Sequence, residues 1–303
     1  MPITFRGAYT AIVTPFSDDG STVDFARLDE HIAFQARGGV TGIVPCGTTG
    51  ESPTLSEAEQ HAVIERAIAV GKPLGLQVVA GTGSNCTAHA VEMHRFAHKA
   101  GADASLQVSP YYNKPSQEGL YRHFMTVADA CDLPIMLYNI PGRCGVAIAP
   151  ETVARLARHP NIRAIKEATG SMDSASEIAQ RCSITILSGD DSLTLSFAGC
   201  GSAGVVSVVS NLVPRRVQDL CDAFLGDRFE VAKRMHADLF KLCRGLLTLD
   251  VNPVPLKTAM KILGRDTGAL RLPLVPPSKD ATAKIVELLA EVGLARLEAM
   301  TLA

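Results

Sequence analysis

No apolar run in the sequence approaches the roughly 20 residues that a membrane span requires. The opening residues, Met1-Pro2-Ile3-Thr4-Phe5-Arg6, lack the apolar core of a signal peptide, so a cytoplasmic location is expected. There is no basic block. The 29 Lys and Arg are scattered and stand against 31 Asp and Glu, and the formal charge of −2 argues against a nucleic-acid or anionic-membrane partner. The eight cysteines, at positions 46, 86, 131, 144, 182, 200, 221 and 243, include no C-x-x-C pair, which removes a zinc or thioredoxin-like reading. Contexts such as Val44-Pro45-Cys46 suggest small buried thiols in a reducing compartment. The eight histidines do not cluster at ligand spacings and no H-E-x-x-H occurs, so no protein-bound metal is expected. A Walker loop and a Ser or Cys nucleophile elbow are missing as well. Gly81-Thr82-Gly83-Ser84-Asn85-Cys86 lacks the last glycine of G-x-G-x-x-G, so the dinucleotide reading is weak.

What is present is an alternation. Short β-rich apolar runs occur at Ala8–Val13, Gly42–Cys46, Gly75–Ala80, Ala104–Ser109, Ile135–Tyr138, Ile162–Lys166, Ile184–Ser188 and Ala203–Val208. Their starts recur at roughly 20–35 residues, as successive βα units require, and helical patterns fill the gaps. Asp24 can cap a helix that runs to about Arg37 and ends at Gly38-Gly39. Ser56-Glu57-Ala58-Glu59 is a capping box, and Pro150 suits the first turn of a helix over Glu151–Arg158. A doubly wound open sheet alternates in the same way, but eight units favour a closed (β/α)8 TIM barrel over residues 1–227. Beyond that, 228–303 reads as a C-terminal helical appendage: Phe229–Leu247, Pro253–Leu263 and Lys279–Val292, with the stiff connector Leu272-Pro273-Leu274-Val275-Pro276-Pro277.

Barrel active sites lie at the C-terminal ends of the strands, so the residues just past each apolar run carry the functional signal. With period two, Ile162, Ala164 and Lys166 share one face. Turned inward, Lys166 ends in an apolar cage that disfavours its ammonium, and a neutral amine there can attack a ketone to form an imine. The plainer alternative is a lysine snorkelling out of the strand end. Tyr138 closes the fifth run, beside the sixth, where a phenol can pass protons or merely cap the core. Gly47-Thr48-Thr49-Gly50-Glu51-Ser52 follows the second run and offers amides and hydroxyls to a small carboxylate, although many loops look like this. Tyr111 and Tyr112, in a proline-bounded loop after the fourth run, suggest exposed aromatics that stack on a partner subunit. Arg143, just past Tyr138, can clamp a carboxylate or stay solvated at the surface.

These segments together resemble the dihydrodipicolinate synthase / N-acetylneuraminate lyase family of pyruvate-dependent class I aldolases. The resemblance covers nearly the whole chain and is carried by Gly47-Thr48-Thr49-Gly50-Glu51, Tyr111-Tyr112-Asn113-Lys114-Pro115, Tyr138-Asn139-Ile140-Pro141-Gly142-Arg143, Ile165-Lys166-Glu167-Ala168 and Ser188-Gly189-Asp190-Asp191. The synthase branch of the family is the nearer one. The resemblance implies that Lys166 forms an imine with pyruvate and that Tyr138, Thr48 and Tyr112 relay protons, Tyr112 entering from a neighbouring subunit. It implies that Thr49 binds the pyruvate carboxylate, that Arg143 holds the carboxylate of aspartate semialdehyde, and that Gly189 and Val206 line the pyruvate side. It further implies a homotetramer of tight dimers and no organic cofactor, because the lysine is the electron sink.

Ser52, Asn85 and Tyr111 match the family's lysine effector pocket. Lysine-inhibited relatives carry Glu where this chain has His89, and His where it has Gln60. The resemblance therefore implies weak or absent lysine inhibition, since His89 cannot supply the missing carboxylate. Two competing readings are a sister aldolase acting on N-acetylneuraminate or a 2-keto-3-deoxy sugar acid, and a barrel that only senses 2-oxo acids.

Overall fold

The computed structural model describes residues 3–294; Met1, Pro2 and the end of the predicted helical region, 295–303, lie outside the described residues. Eight strands, β1 (Gly7–Ala11), β2 (Gly42–Val44), β3 (Gln77–Gly81), β4 (Ala104–Val108), β5 (Ile135–Asn139), β6 (Ile162–Glu167), β7 (Thr185–Ser188) and β8 (Gly204–Ser207), pair in sequence order into a closed barrel. β8 returns to β1 in parallel register, Val206 beside Tyr9, so no sheet edge remains. All eight predicted runs are strands. The third begins two residues late because Gly75, at φ 83°, ends a 3-10 turn instead of entering the strand.

The helices are α1 (Phe25–Gly38), α2 (Glu57–Gly71), α3 (Thr87–Ala100), α4 (Gln117–Ala128), α5 (Pro141–Cys144), α6 (Pro150–Leu156), α7 (Met172–Arg181), α8 (Thr194–Gly199), α9 (Pro214–Leu225), α10 (Phe229–Leu249), α11 (Val254–Ile262) and α12 (Lys279–Glu291). Their starts follow from local chemistry. The Asp24 carboxylate accepts from the Arg27 amide at 3.0 Å, and α1 stops at Gly39, whose φ of 74° is open to glycine at no steric cost. The capping box at α2 is complete: Ser56 Oγ accepts from the Glu59 amide, and Glu59 Oε2 accepts from the Ser56 amide. Pro150 occupies the first turn of α6.

Two apolar layers sit on either side of the strands. Tyr9, Val44, Val79, Leu106, Met136, Ala164, Leu187 and Val206 fill the barrel interior. Ile135, Leu137, Ile162, Ile165 and Ile186 face the helices. Ile162 therefore departs from the expected common face with Ala164 and Lys166. A bulge in the β5–β6 register, Ile135 opposite Ile162 but Met136 opposite Ala164, inserts the exposed Arg163 and turns Ile162 outward. The expected burial of the cysteines is likewise only half right. Cys46, Cys144, Cys221 and Cys243 are buried, Cys131, Cys182 and Cys200 are half-buried, and Cys86 is exposed at the start of α3.

The C-terminal helices share the barrel's core. Leu239, Leu242 and Leu246 of α10, Leu256 and Met260 of α11, and Ile285 and Leu289 of α12 belong to the same cluster as Ile12, Phe16, Leu28 and Ile43. Each such buried leucine contributes about 1.5–3 kcal/mol by removing apolar surface from water. Polar ties add to this: His31 meets Asp266 at 3.2 Å, and Arg271 Nη2 meets Glu59 Oε1 at 2.6 Å. Among the described residues, no helix is long and apolar enough to cross a membrane, and no group of three or more His, Cys, Asp or Glu is placed to hold a metal.

Candidate active site

The β5–β6 edge carries the chemistry-bearing pair. Register places Lys166 directly beside Tyr138 on one side and Leu187 on the other. Below them, Ala164 and Met136 are inward and fully buried, so Lys166 emerges at the end of a filled barrel. Lys166 is only 5% exposed, and its Nζ stands 4.1 Å from the Tyr138 ring centroid. Packing against the ring face fixes where the amine points. Gly189 leaves the room for it: a Cβ there would come within 2.7 Å of Ala168 Cβ and 3.1 Å of Lys166 Cγ. Val206 is fully buried in the interior cluster with Ala164 and Leu187.

The residues that alternate with this pair point the other way and pin the strand ends. Asn139 Nδ2 donates to Glu167 Oε2 at 3.0 Å, and Asn139 Oδ1 accepts from the Ile148 amide at 3.0 Å. Glu167 Oε1 accepts from the Thr169 amide at 2.8 Å. Burial pushes the Glu167 carboxyl pKa up, and these hydrogen bonds pull against the shift. Asp191, in the Ser188–Asp191 segment, is buried with its pKa pushed up for the same reason, and it accepts from Ser207 Oγ and from the Val208 and Val209 amides. It ties the ends of β7 and β8 together behind Gly189. The sequence segments contained these three groups, but period and position alone assigned them no role.

Across the rim, the turn after β2 is folded tightly. The Gly50 and Glu51 amides donate back to the Gly47 and Thr48 carbonyls, and Glu51 adopts φ 54°. Thr48 is half-buried; Thr49 is 2% exposed, its Oγ1 accepting from Asn252 Nδ2 at 3.0 Å. Arg143, on the four-residue α5, is exposed, and its Nη2 donates to the Asn252 carbonyl at 3.3 Å. Asn252 thus touches both expected carboxylate-binding residues, and its Oδ1 is buried with no partner among the described residues. Nothing in the sequence pointed to it, because its contacts lie 203 and 109 residues away.

Thr48, Tyr138 and Arg143 line one cavity of about 380 Å3. Ser52, Gln60, Ser84, His89 and Tyr111 line the same cavity, so four of the expected effector residues share it with Thr48 and Tyr138 of the expected relay. Lys166, Gly189, Val206 and Thr49 are not among the residues that line this cavity. Asn85 also lies off it, donating from Nδ2 to the Tyr111 carbonyl at 3.3 Å and accepting from Asn113 on its own carbonyl at 2.9 Å. His89 is half-exposed, with Glu92 at 3.9 Å. Tyr112 makes no side-chain hydrogen bond among the described residues: it is 90% exposed with φ 72°.

The model of the dihydrodipicolinate synthetase family matches residues 4–292. The chain belongs to that family. A 4-hydroxy-tetrahydrodipicolinate synthase from Geotalea daltonii is 49% identical over 290 residues, covering 95% of this chain and 98% of the relative. The solved 4-hydroxy-tetrahydrodipicolinate synthase of Methylacidiphilum fumariolicum superposes with a TM-score of 0.93 at 44% identity, covering 98% of this chain and 99% of that one. A dihydrodipicolinate synthase from Acinetobacter baumannii, solved in complex with pyruvate, gives a TM-score of 0.91 at 37% identity over 96% of this chain and 100% of that one. Membership in the dihydrodipicolinate synthetase family agrees with the closed barrel of eight parallel strands and the helices that follow it.

Proposed function

We propose that this chain is a 4-hydroxy-tetrahydrodipicolinate synthase, condensing pyruvate with aspartate semialdehyde through an imine on Lys166. One observation carries the reading: a buried lysine amine lies on the face of a buried tyrosine at the end of adjacent strands. The Lys166 amine attacks the pyruvate ketone and water leaves. A methyl proton is then lost and an enamine forms. The enamine carbon adds to the aldehyde of the second substrate, and that substrate's amine closes the ring and expels Lys166. Tyr138 and Thr48 move the protons. Tyr112, fully presented to solvent, completes the relay in a neighbouring copy of the chain, which makes the working unit at least a dimer and the family's tetramer the expected assembly. Thr49 and its backbone hold the pyruvate carboxylate, and Arg143 at the exposed rim holds the carboxylate of the semialdehyde. Gly189 and Val206 shape the space around Lys166. Carbon–carbon bond formation by this route needs no organic cofactor and no metal. A cytoplasmic biosynthetic role fits the near-even charge balance.

Ser52, Gln60, His89 and Tyr111, with Asn85 on the Tyr111 carbonyl, are the counterpart of an effector pocket in which His89 stands in place of the ammonium-binding carboxylate. Weak or absent inhibition by lysine is the expected outcome of a titration; strong inhibition near physiological lysine concentrations would contradict it. The activity itself is tested by turnover of pyruvate with aspartate semialdehyde against N-acetylneuraminate and 2-keto-3-deoxygluconate. Preference for a sugar acid would move the chain to a sister aldolase, and binding of pyruvate without any turnover would make it a sensor.

A further inference from the structure

The turn that carries Thr48 and Thr49 is held from beneath by residues more than 200 positions away in sequence. Lys257, on α11, is fully buried, and its Nζ donates to Glu51 Oε1 at 2.7 Å and to the Thr14 carbonyl at 2.9 Å. Thr14 Oγ1 in turn donates to the Gly50 carbonyl at 2.7 Å. The other Glu51 oxygen accepts from the Arg271 amide at 3.2 Å. Both cations lie on one face-bearing ring, Lys257 Nζ at 4.2 Å and Arg271 Cζ at 4.4 Å from the centroid of the buried Phe16. Just before α11, Asn252 donates to Thr49. Glu51 is a non-glycine residue in the left-handed region, a conformation that persists only where surrounding contacts over-determine it.

A fully buried ion pair is weak evidence for stability, because two charges must be desolvated to make it. Here it is aimed at a single strained turn: the pair's other hydrogen-bond partners are the Thr14 carbonyl, whose own side chain holds the Gly50 carbonyl, and the Arg271 amide. Burial pushes the Lys257 pKa down, and the Glu51 carboxylate opposes that shift, so the charges depend on each other.

We propose that the segment from Asn252 to Lys257 is a clamp that fixes the Thr48–Glu51 turn, and that Lys257, acting through Glu51, is a positioning residue for pyruvate capture. The inference rests on the role proposed above for Thr48 and Thr49. The clamp couples the C-terminal helices to the chemistry: their displacement loosens the carboxylate-binding turn while leaving Lys166 and Tyr138 in place.

The test uses the full chain and the pyruvate concentration that gives half-maximal borohydride trapping. In Lys257→Met alone, an unpaired carboxylate is left buried, and the melting temperature is expected to fall. In Lys257→Met with Glu51→Gln, the charge is gone from both partners and most of that loss is expected to return. Under the clamp, trapping by the folded double variant still needs at least about tenfold more pyruvate, because a misplaced turn binds the carboxylate poorly. KM for aspartate semialdehyde is expected to change far less than KM for pyruvate. Recovery of both stability and wild-type trapping in the double variant would mean that the pair is structural only, and would overturn the proposal. Should the double variant fail to fold, Asn252→Leu decides: it removes the donor to Thr49 at a half-buried position, and an unchanged half-maximal concentration there overturns the clamp. A wild-type protein that pyruvate and borohydride do not modify at all would instead refute the proposed function, a separate outcome.

Discussion

The two halves of the rim are built in opposite ways. The β5–β6 edge holds Lys166 and Tyr138 by strand register, with Asn139 and Glu167 locking the strand ends a few residues away. The β2 turn holds Thr48 and Thr49 by contacts with Asn252, Lys257 and Arg271, all from the C-terminal region. The first half is local and stiff, as sheet hydrogen bonds are. The second depends on how a separate group of helices docks, so its geometry is adjustable without disturbing the barrel. A nucleophile gains from rigid aim, whereas a carboxylate-binding turn can be tuned from a distance.

Substitutions on the stiff edge are expected to have the largest effects. Lys166→Ala removes the nucleophile and should lower kcat/KM by at least about a thousandfold, with an unchanged melting temperature, measured by coupled turnover and calorimetry. Tyr138→Phe keeps the ring under the amine and removes only the hydroxyl; turnover should fall by about a hundredfold or more while imine formation persists. Full activity in Tyr138→Phe would place the proton transfer on the opposite half of the rim. Gly189→Ala crowds Lys166 Cγ and Ala168 and should lower kcat by about tenfold with little effect on the aldehyde KM. An equal loss of fold stability would instead make Gly189 a packing residue.

The smallest expected effect on turnover at neutral pH lies outside both halves, in the helical layer. His94 and His123 are buried, and burial pushes each pKa down from 6.5 to about 4. The unfolded chain binds their protons first, so the stability of the neutral form is complete above about pH 6.5 and is lost as the pH falls toward 4, at up to about 1.4 kcal/mol per pH unit for each histidine. Denaturant melts between pH 7 and pH 4.5 measure this. The rim geometry should survive until the whole fold goes, so activity should be lost only as the protein unfolds; loss of activity in the still-folded protein would point to a titrating group in the site.

The contrast between the halves also explains what was legible in the sequence. The eight strands announced themselves as apolar runs, and Lys166, Tyr138 and Thr48 stood at strand ends, where a barrel keeps its chemistry. Asp24 and Ser56 marked helix starts because capping is a matter of three or four neighbouring residues. The bulge at Arg163 was invisible, since an extra residue in one strand leaves no compositional trace, and it sent Ile162 to the other layer. Asn252, Lys257 and Arg271 were invisible for a different reason: each acts on a partner that only tertiary packing supplies. Tyr112 was legible as an exposed aromatic, and it stays exposed in a single copy of the chain.

The central claim is that Lys166 captures pyruvate, and it is tested most directly by treating the wild-type protein and Lys166→Ala with pyruvate and borohydride and mapping the product by mass spectrometry. The account predicts one reduced pyruvyl group, on the peptide that contains Lys166, and none in the variant. Modification at another lysine, or equal modification of the variant, would contradict it.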